Sequence, residues 1–362
     1  MASGQIEEIY KSEKDTGDFF AMQDAVADEI GRLLLARFAT TSTGPAARRG
    51  TTNEEAYRFY LQGMFLHDRG TAGQKAVEAL EQSVRLDPNY AQGWAGLALA
   101  HRGIASLANA NTGEEYQKSI EAINKALSLD PNISEAYTAL CEAKYQYEWD
   151  FAGAGRACQR ALELNPNSSL AHNNYARFLI SYQQRHDEAI AEIKTAIDLD
   201  PTSFHNQRIY ANILYFSRRY DEAVAQYKRL MQLNEEIDPT YQWLIRTLEM
   251  QGKEAEAFEW LMKSPSMQKK DDNTIQLFQT AYQTSGWAGV LRERDKTPGD
   301  GNLLRRAGWN ARLGDKDKAF EILEKAYQQR YPLNFLLQVE PALDPLRDDP
   351  RFDELVRRVG LQ

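Results

Sequence analysis

SVRLDPNY (83–90), ALSLDPNI (126–133), ALELNPNS (161–168) and AIDLDPTS (196–203) are four versions of one phrase, and together they decide the fold. Each is an apolar-periodic run closing on Asp or Asn and then proline: Pro88, Pro131, Pro166 and Pro201, spaced 43, 35 and 35 residues apart. Proline cannot continue a helix and pushes the residue before it out of the helical region, so each phrase marks a helix end. Recurrence at this period points to an architecture built by repetition.

Upstream of each phrase stands a small residue at a fixed offset: Ala76, Ser119, Ala154 and Ala189, continued by Ala223, Ala257 and Ala319. A larger side chain follows one turn later (Leu80, Ile123, Cys158, Ile193, Tyr227, Leu261, Leu323). A third position comes with the next turn (Ser83, Ala126, Ala161, Ala196, Leu230, Ser264, Ala326). This i, i+4, i+7 spacing is one apolar stripe of a helix. The small residues let two antiparallel helices cross closely, and bulk there would cost about 1–3 kcal/mol through overpacking. A partner helix precedes each stripe, as in SEAYTALCEAKYQY (134–147), LAHNNYARFLISYQ (170–183), FHNQRIYANILYFS (204–217) and DPTYQWLIRTLEMQ (238–251). QQRHDEA, SRRYDEA and QGKEAEA are the polar turns between the paired helices.

A helix–turn–helix unit of this length, with alanines at the crossing and proline at its end, resembles the tetratricopeptide repeat (TPR). The resemblance covers roughly residues 53–330 and recurs in register. It implies an all-α, right-handed superhelical solenoid of antiparallel helix pairs whose business is binding, not catalysis. The expected organisation is an array over 54–330 of about seven to eight repeats. One unit, at 91–130, is enlarged by SLANANTGE, and one, at 264–300, is degenerate where Ser264-Pro265 breaks a helix. A proline-rich cap over 331–362 ends in FDELVRRVG (352–360). Ahead of the array, residues 1–39 contain an amphipathic helix, DFFAMQDAVADEIGRLLLAR (18–37), and 40–53 reads as a linker. That helix either caps the first repeat or is the remnant of an upstream domain.

A narrower resemblance rests on DFFAMQD (18–24), AYRFYLQG (56–63), YEWDFAGA (147–154) and LRDDPRF (346–352). In this order they are similar to the TPR-bearing C-terminal region of bacterial signalling regulators, where a winged-helix domain, a class III nucleotide cyclase or a protein kinase precedes the repeats. The resemblance implies a sensory or interaction part of such a regulator. No winged-helix, cyclase or kinase motif is present in the chain.

The bulk numbers fit. The 362 residues carry a formal net charge of -9, which argues against a duplex nucleic-acid surface, since that needs clustered Lys and Arg. No stretch approaches the roughly 18 apolar residues of a membrane span, and the polar start has no signal-peptide core. Cytoplasm and periplasm both remain open. Cys141 and Cys158 match no zinc spacing and read as two buried, reduced thiols, open to oxidation outside the cytoplasm because they fall on facing helices of one hairpin.

The search for chemistry is negative. His67, His101, His172, His186 and His205 form no ligand pair on one helical face, so no metal is expected. AGAGRA (152–157) follows no strand, and its small residues fall where a second helix needs them, so no nucleotide and no other cofactor is expected. The expectation is a binding protein whose partner is a protein or peptide, with self-association as the alternative and an enzyme with an unfamiliar site as a minor one. In a stack of hairpins the first helices line a concave groove. The candidate groove residues are Tyr145, Asn174, Phe178, Tyr182, Arg208, Asn212, Tyr215 and Arg246, a mixture of aromatics, amides and arginines suited to binding a peptide.

Overall fold

The computed structural model describes residues 50–69, 73–105, 112–233, 238–297, 303–331 and 336–361. The amphipathic segment 18–37 and most of the proposed linker lie outside the described residues. The body Gly50–Gln362 is an all-α superhelical solenoid of antiparallel helix pairs, with no strand among the described residues. Its first helices are α1 (Glu54–Arg69), α3 (Ala91–Ala105), α5 (Ser134–Ala143), α7 (Ser169–Phe178), α9 (Phe204–Phe216) and α11 (Asp238–Met250). Each is followed by its partner: α2 (Gly73–Leu86), α4 (Thr112–Leu129), α6 (Phe151–Leu164), α8 (His186–Leu199), α10 (Tyr220–Leu233) and α12 (Glu254–Lys263). Wider π-turns, Lys144–Glu148 and Leu179–Gln183, extend α5 and α7. A short α13 (Pro265–Gln268) then leads into α14 (Asp272–Lys296), which is broken at Gly286 by a positive φ of 58°. The pair α15 (Leu303–Arg312) and α16 (Lys316–Gln328) follows, then a 3-10 turn (Pro341–Leu346) and α17 (Pro350–Val359).

The small-residue column explains why these helices pair. Ala76, Ser119, Ala154, Ala189, Ala223, Ala257 and Ala319 are all fully buried. Where serine replaces alanine in the stripe, its hydroxyl is satisfied across the crossing: Ser83 Oγ donates to the Ala56 carbonyl at 2.7 Å and Ser119 Oγ to that of Ala98 at 2.8 Å. The proline phrases close each unit with a local turn. The Asp87, Asp130, Asn165 and Asp200 side chains each accept the backbone N–H two residues on, at 2.8–3.2 Å. This Asx geometry suits a short acceptor just before proline. One glycine is required by packing, since a Cβ at Gly63 would lie 2.4 Å from Leu80 Cγ.

The two-thiol expectation is corrected: Cys141 and Cys158 form a disulfide. The pairing of α5 with α6 brings their Cα atoms to 5.2 Å, inside the bridging range, and the bond lies buried in the hairpin.

The C-terminal end does more than cover the last repeat. It returns along the array to the C-terminal ends of α5, α7, α9 and α11 and to the turns after them. Leu337, Leu343, Leu346 and Phe352 share one apolar cluster with Tyr145, Phe151 and Phe178, while Val339 joins the cluster of α9 to α12. Polar contacts pin the same path: Arg218 to Asp344 at 2.9 Å, Gln184 to Gln338 at 3.5 Å, and Arg330 to the Tyr147 carbonyl at 3.3 Å.

Candidate functional site

The return of the C-terminal segment decides what is open on the inner helices. Tyr145, Phe178 and Tyr215 are fully buried and build the wall, offering a ligand no surface. Tyr182 stacks flat on Phe151, with ring centroids 4.5 Å apart. Arg246 is also occupied. Its guanidinium bonds the Glu340 carboxylate, lies 4.4 Å from the Trp243 ring centroid, and shares Glu340 with the Tyr215 hydroxyl, which donates at 2.6 Å. Burial would lower the Arg246 pKa, but Glu340 and Tyr215 raise it above the ordinary guanidinium value. Of the expected groove residues, Asn174, Arg208 and Asn212 remain around the stretch of α7 and α9 before these contacts begin. Asn174 and Asn212 are buried and Arg208 is half-buried.

That stretch belongs to a row of charged side chains that the sequence reading missed. Glu142 on α5 is fully buried between two arginines, Arg102 of α3 at 2.8 Å and Arg177 of α7. Gln146 completes this network, donating to Glu142 at 3.2 Å and accepting from the Tyr116 hydroxyl at 2.7 Å. Arg177 also reaches Asn174 Oδ1 at 3.3 Å. Burial works against the Arg177 charge, yet Tyr145 and Glu142 outweigh it and raise its pKa. One signal would have found the row: Glu142, Arg177, Asn212 and Arg246 stand at intervals of 35, 35 and 34 residues, a single position in successive first helices. Reading polar residues by repeat column, as the alanines were read, makes it visible.

Arg208, one helical turn before Asn212 on α9, differs from the arginines of the row. Arg102, Arg177 and Arg246 each have a carboxylate; among the described residues Arg208 has none, and its guanidinium lies 3.3 Å from His205 Nδ1. Burial pushes the Arg208 guanidinium below its usual pKa; Tyr227 opposes this and Arg177 adds to it. His205 is driven well below the ordinary imidazole range by burial and then by Arg208, Arg177 and Arg102, so it is neutral at pH 7. His67 falls to about 4, from burial and then Arg102. His205 and Arg208 lie on the inner helix α9 and keep some accessible surface. On the neighbouring α7, beside Arg177, Asn174 Nδ2 is buried without a hydrogen-bond partner. The arrangement can receive an anion. No cluster of three metal-ligand residues occurs among the described residues.

The fold and this inner face define a helical-repeat protein. Residues 157–191, from within α6 into α8, match the model of the tetratricopeptide repeat family, so the chain carries that repeat within its solenoid. No curated protein matches the chain. Among solved structures, it is similar to PilW, a widely conserved type IV pilus biogenesis factor, at 21% identity over 66% of this chain and 92% of that one, with a TM-score of 0.44. It is also similar to a TPR protein from Parabacteroides merdae, at 14% identity over 85% and 100% of the two chains, with a TM-score of 0.42. A third similarity is to the APC/C hetero-tetramer Cut9-Hcn1, at 13% identity over 79% of this chain and 50% of that one, with a TM-score of 0.49.

Proposed function

We propose that this chain is a non-catalytic scaffold that holds a protein or peptide partner against its inner helices, at the floor formed by α7 and α9. The observation that carries the reading is that this face already receives a polypeptide segment. The chain's own residues 336–346 lie along the ends of the first helices and deliver the buried Glu340 to Arg246 and Tyr215. A surface that binds backbone, apolar side chains and a carboxylate within the molecule has the chemistry to do so between molecules. The test is site-specific photo-crosslinking in the source cells. A photoreactive residue at His205 should trap a discrete partner, and one at Glu259, exposed on the second helix α12, should not. Equal trapping at both positions, or none at His205, sinks the reading.

The finer proposal is that the scaffold is the interaction part of a bacterial signalling regulator. It rests on the four short motifs. Three of them also do fold-level work. In YEWDFAGA, Asp150 caps α6 by accepting from Gly153 N at 2.8 Å. In LRDDPRF, Asp349 caps α17 ahead of Pro350. In AYRFYLQG, Gly63 makes room for Leu80. A strain carrying Arg208→Met should show altered transcript or cyclic-nucleotide levels; unchanged profiles would remove the signalling assignment while leaving the scaffold.

A further inference from the structure

Along the inner helices the arginines are matched by carboxylates, with one exception among the described residues. Arg102, Glu142 and Arg177 run plus, minus, plus from α3 to α7. Further along, Arg246 on α11 is matched by Glu340, brought in from outside the repeats. Between them Arg208 follows Arg177 directly. The Arg177 and Arg208 charges repel across the α7–α9 seam, with no carboxylate on Arg208 among the described residues, and the Asn174 amide nitrogen is buried without a partner beside Arg177. Arg208 is half-buried, so its guanidinium is partly withdrawn from water yet still reachable, and a carboxylate brought by a partner can supply the counter-charge.

We propose that the floor between α7 and α9 is a recognition site for a side-chain carboxylate, a Glu or Asp of an acidic segment of the partner, seated on Arg208 with Arg177 and Asn174 beside it. The proposal rests on the scaffold reading and names the chemistry of what the scaffold holds. Glu340 supplies the internal template for this chemistry. It shows an arginine one hairpin further along taking a glutamate from a non-helical segment, with an aromatic hydroxyl sharing the carboxylate. A chain-terminal carboxylate is not required, because Glu340 is an internal residue. The neutral His205 neighbour adds a hydrogen-bonding group without adding charge. A guanidinium that meets a carboxylate in such a site makes strong charge-assisted hydrogen bonds.

The test uses the full chain and two fluorescent, C-terminally amidated peptides, one alternating glutamate with valine and one alternating glutamine with valine. Anisotropy titration should show the glutamate peptide binding about tenfold or more tightly than its glutamine counterpart. Arg208→Met should remove that difference. The same variant should melt at a higher temperature than the parent, an outcome a merely structural arginine would not give, and Arg208→Lys should retain part of the preference. Equal binding of the two peptides by the parent chain overturns acid recognition and leaves the scaffold reading standing. A preference that survives Arg208→Met, or a lowered melting temperature in that variant, overturns the assignment of Arg208. Binding of neither peptide overturns the proposed ligand chemistry, while the crosslinking at His205 separately decides the scaffold.

Discussion

Five of the turns between paired helices place one residue in the left-handed region: Trp149, Gln184, Arg218, Gly252 and Gly314, with φ between 51° and 83°. Glycine adopts that conformation freely, whereas another residue pays about 1–2 kcal/mol. The three non-glycine cases are turns that touch the C-terminal end of the body, with Trp149 against Tyr327 of α16 and Arg330 just after it, Gln184 on Gln338, and Arg218 on Asp344. Side chains are retained at strained positions where they have something to hold. Gln184→Gly should therefore stabilise the chain by roughly 0.5–1 kcal/mol, because its exposed 3.5 Å contact is weak and the relieved strain exceeds the added chain entropy. Trp149→Gly should destabilise it through lost ring packing. Urea denaturation of both variants gives the signs. A second residue-scale prediction concerns His172, whose ring bonds Glu192 at 2.6 Å and the Pro166 carbonyl at 2.9 Å. The Glu192 bond raises its pKa above that of a free imidazole, against an opposing contribution from burial. A raised histidine pKa adds stability that is complete below the unfolded-state value and is lost as pH rises through the folded one. Glu192→Gln should thus lower the melting temperature at mildly acidic pH, by about 1–2 kcal/mol in stability, and much less in mild alkali. An equal loss at both pH values would contradict the assignment.

Helices and hairpins are the scale at which the sequence was most legible, because their signals are local and repeated. The i, i+4, i+7 stripe and the alanine column could be read without a partner structure, and both are buried throughout. Ala189→Leu should accordingly cost about 1–3 kcal/mol by forcing α7 and α8 apart, measurable by chemical denaturation. The disulfide was only half legible. The repeat places Cys141 and Cys158 on facing helices, but whether a bond forms depends on Cβ directions that periodicity does not encode. With a sequence separation of 17, the bond closes a short loop and should contribute roughly 3 kcal/mol. Chain prepared without reductant should show no free thiol, and Cys141→Ser with Cys158→Ser should melt lower. Disulfides of this kind persist in oxidising compartments. The groove was least legible. Tyr215 and Arg246 carry the right chemistry, but the Glu340 that occupies them lies 125 and 94 residues away and belongs to no repeat. Non-local pairing leaves no mark in a pattern read through a local window.

A solenoid whose repeats touch only their neighbours has stability that is approximately a sum of local terms, and its parts can unfold separately. This body is different, because residues 336–361 bind segments near 145–185 and 215–246, adding contacts that skip several hairpins. Those contacts should make the middle and the C-terminal end one cooperative unit. Glu340 is where the coupling is concentrated. It has no exposed surface, accepts from Tyr215 and Arg246, and also accepts the Ala342 N–H at 3.1 Å. Glu340→Gln removes the charge but keeps the shape, leaving the Arg246 guanidinium buried without its counter-ion, a change that costs about 3–5 kcal/mol for a pair of this kind. Native-state hydrogen exchange reads the consequence. In the parent chain, the slowest amides of α7, α9 and α15 should exchange at one shared free energy. In Glu340→Gln those of α15 should fall below those of α7 and α9, because the link between them is cut and the local stacks remain. Adding Arg246→Met to Glu340→Gln should recover much of the loss, since the second substitution removes the stranded charge, so the two effects should be far from additive. If Glu340→Gln lowers all three helices equally, the C-terminal segment stabilises the array without joining its distant hairpins, and cooperativity must come from the repeat-to-repeat contacts alone.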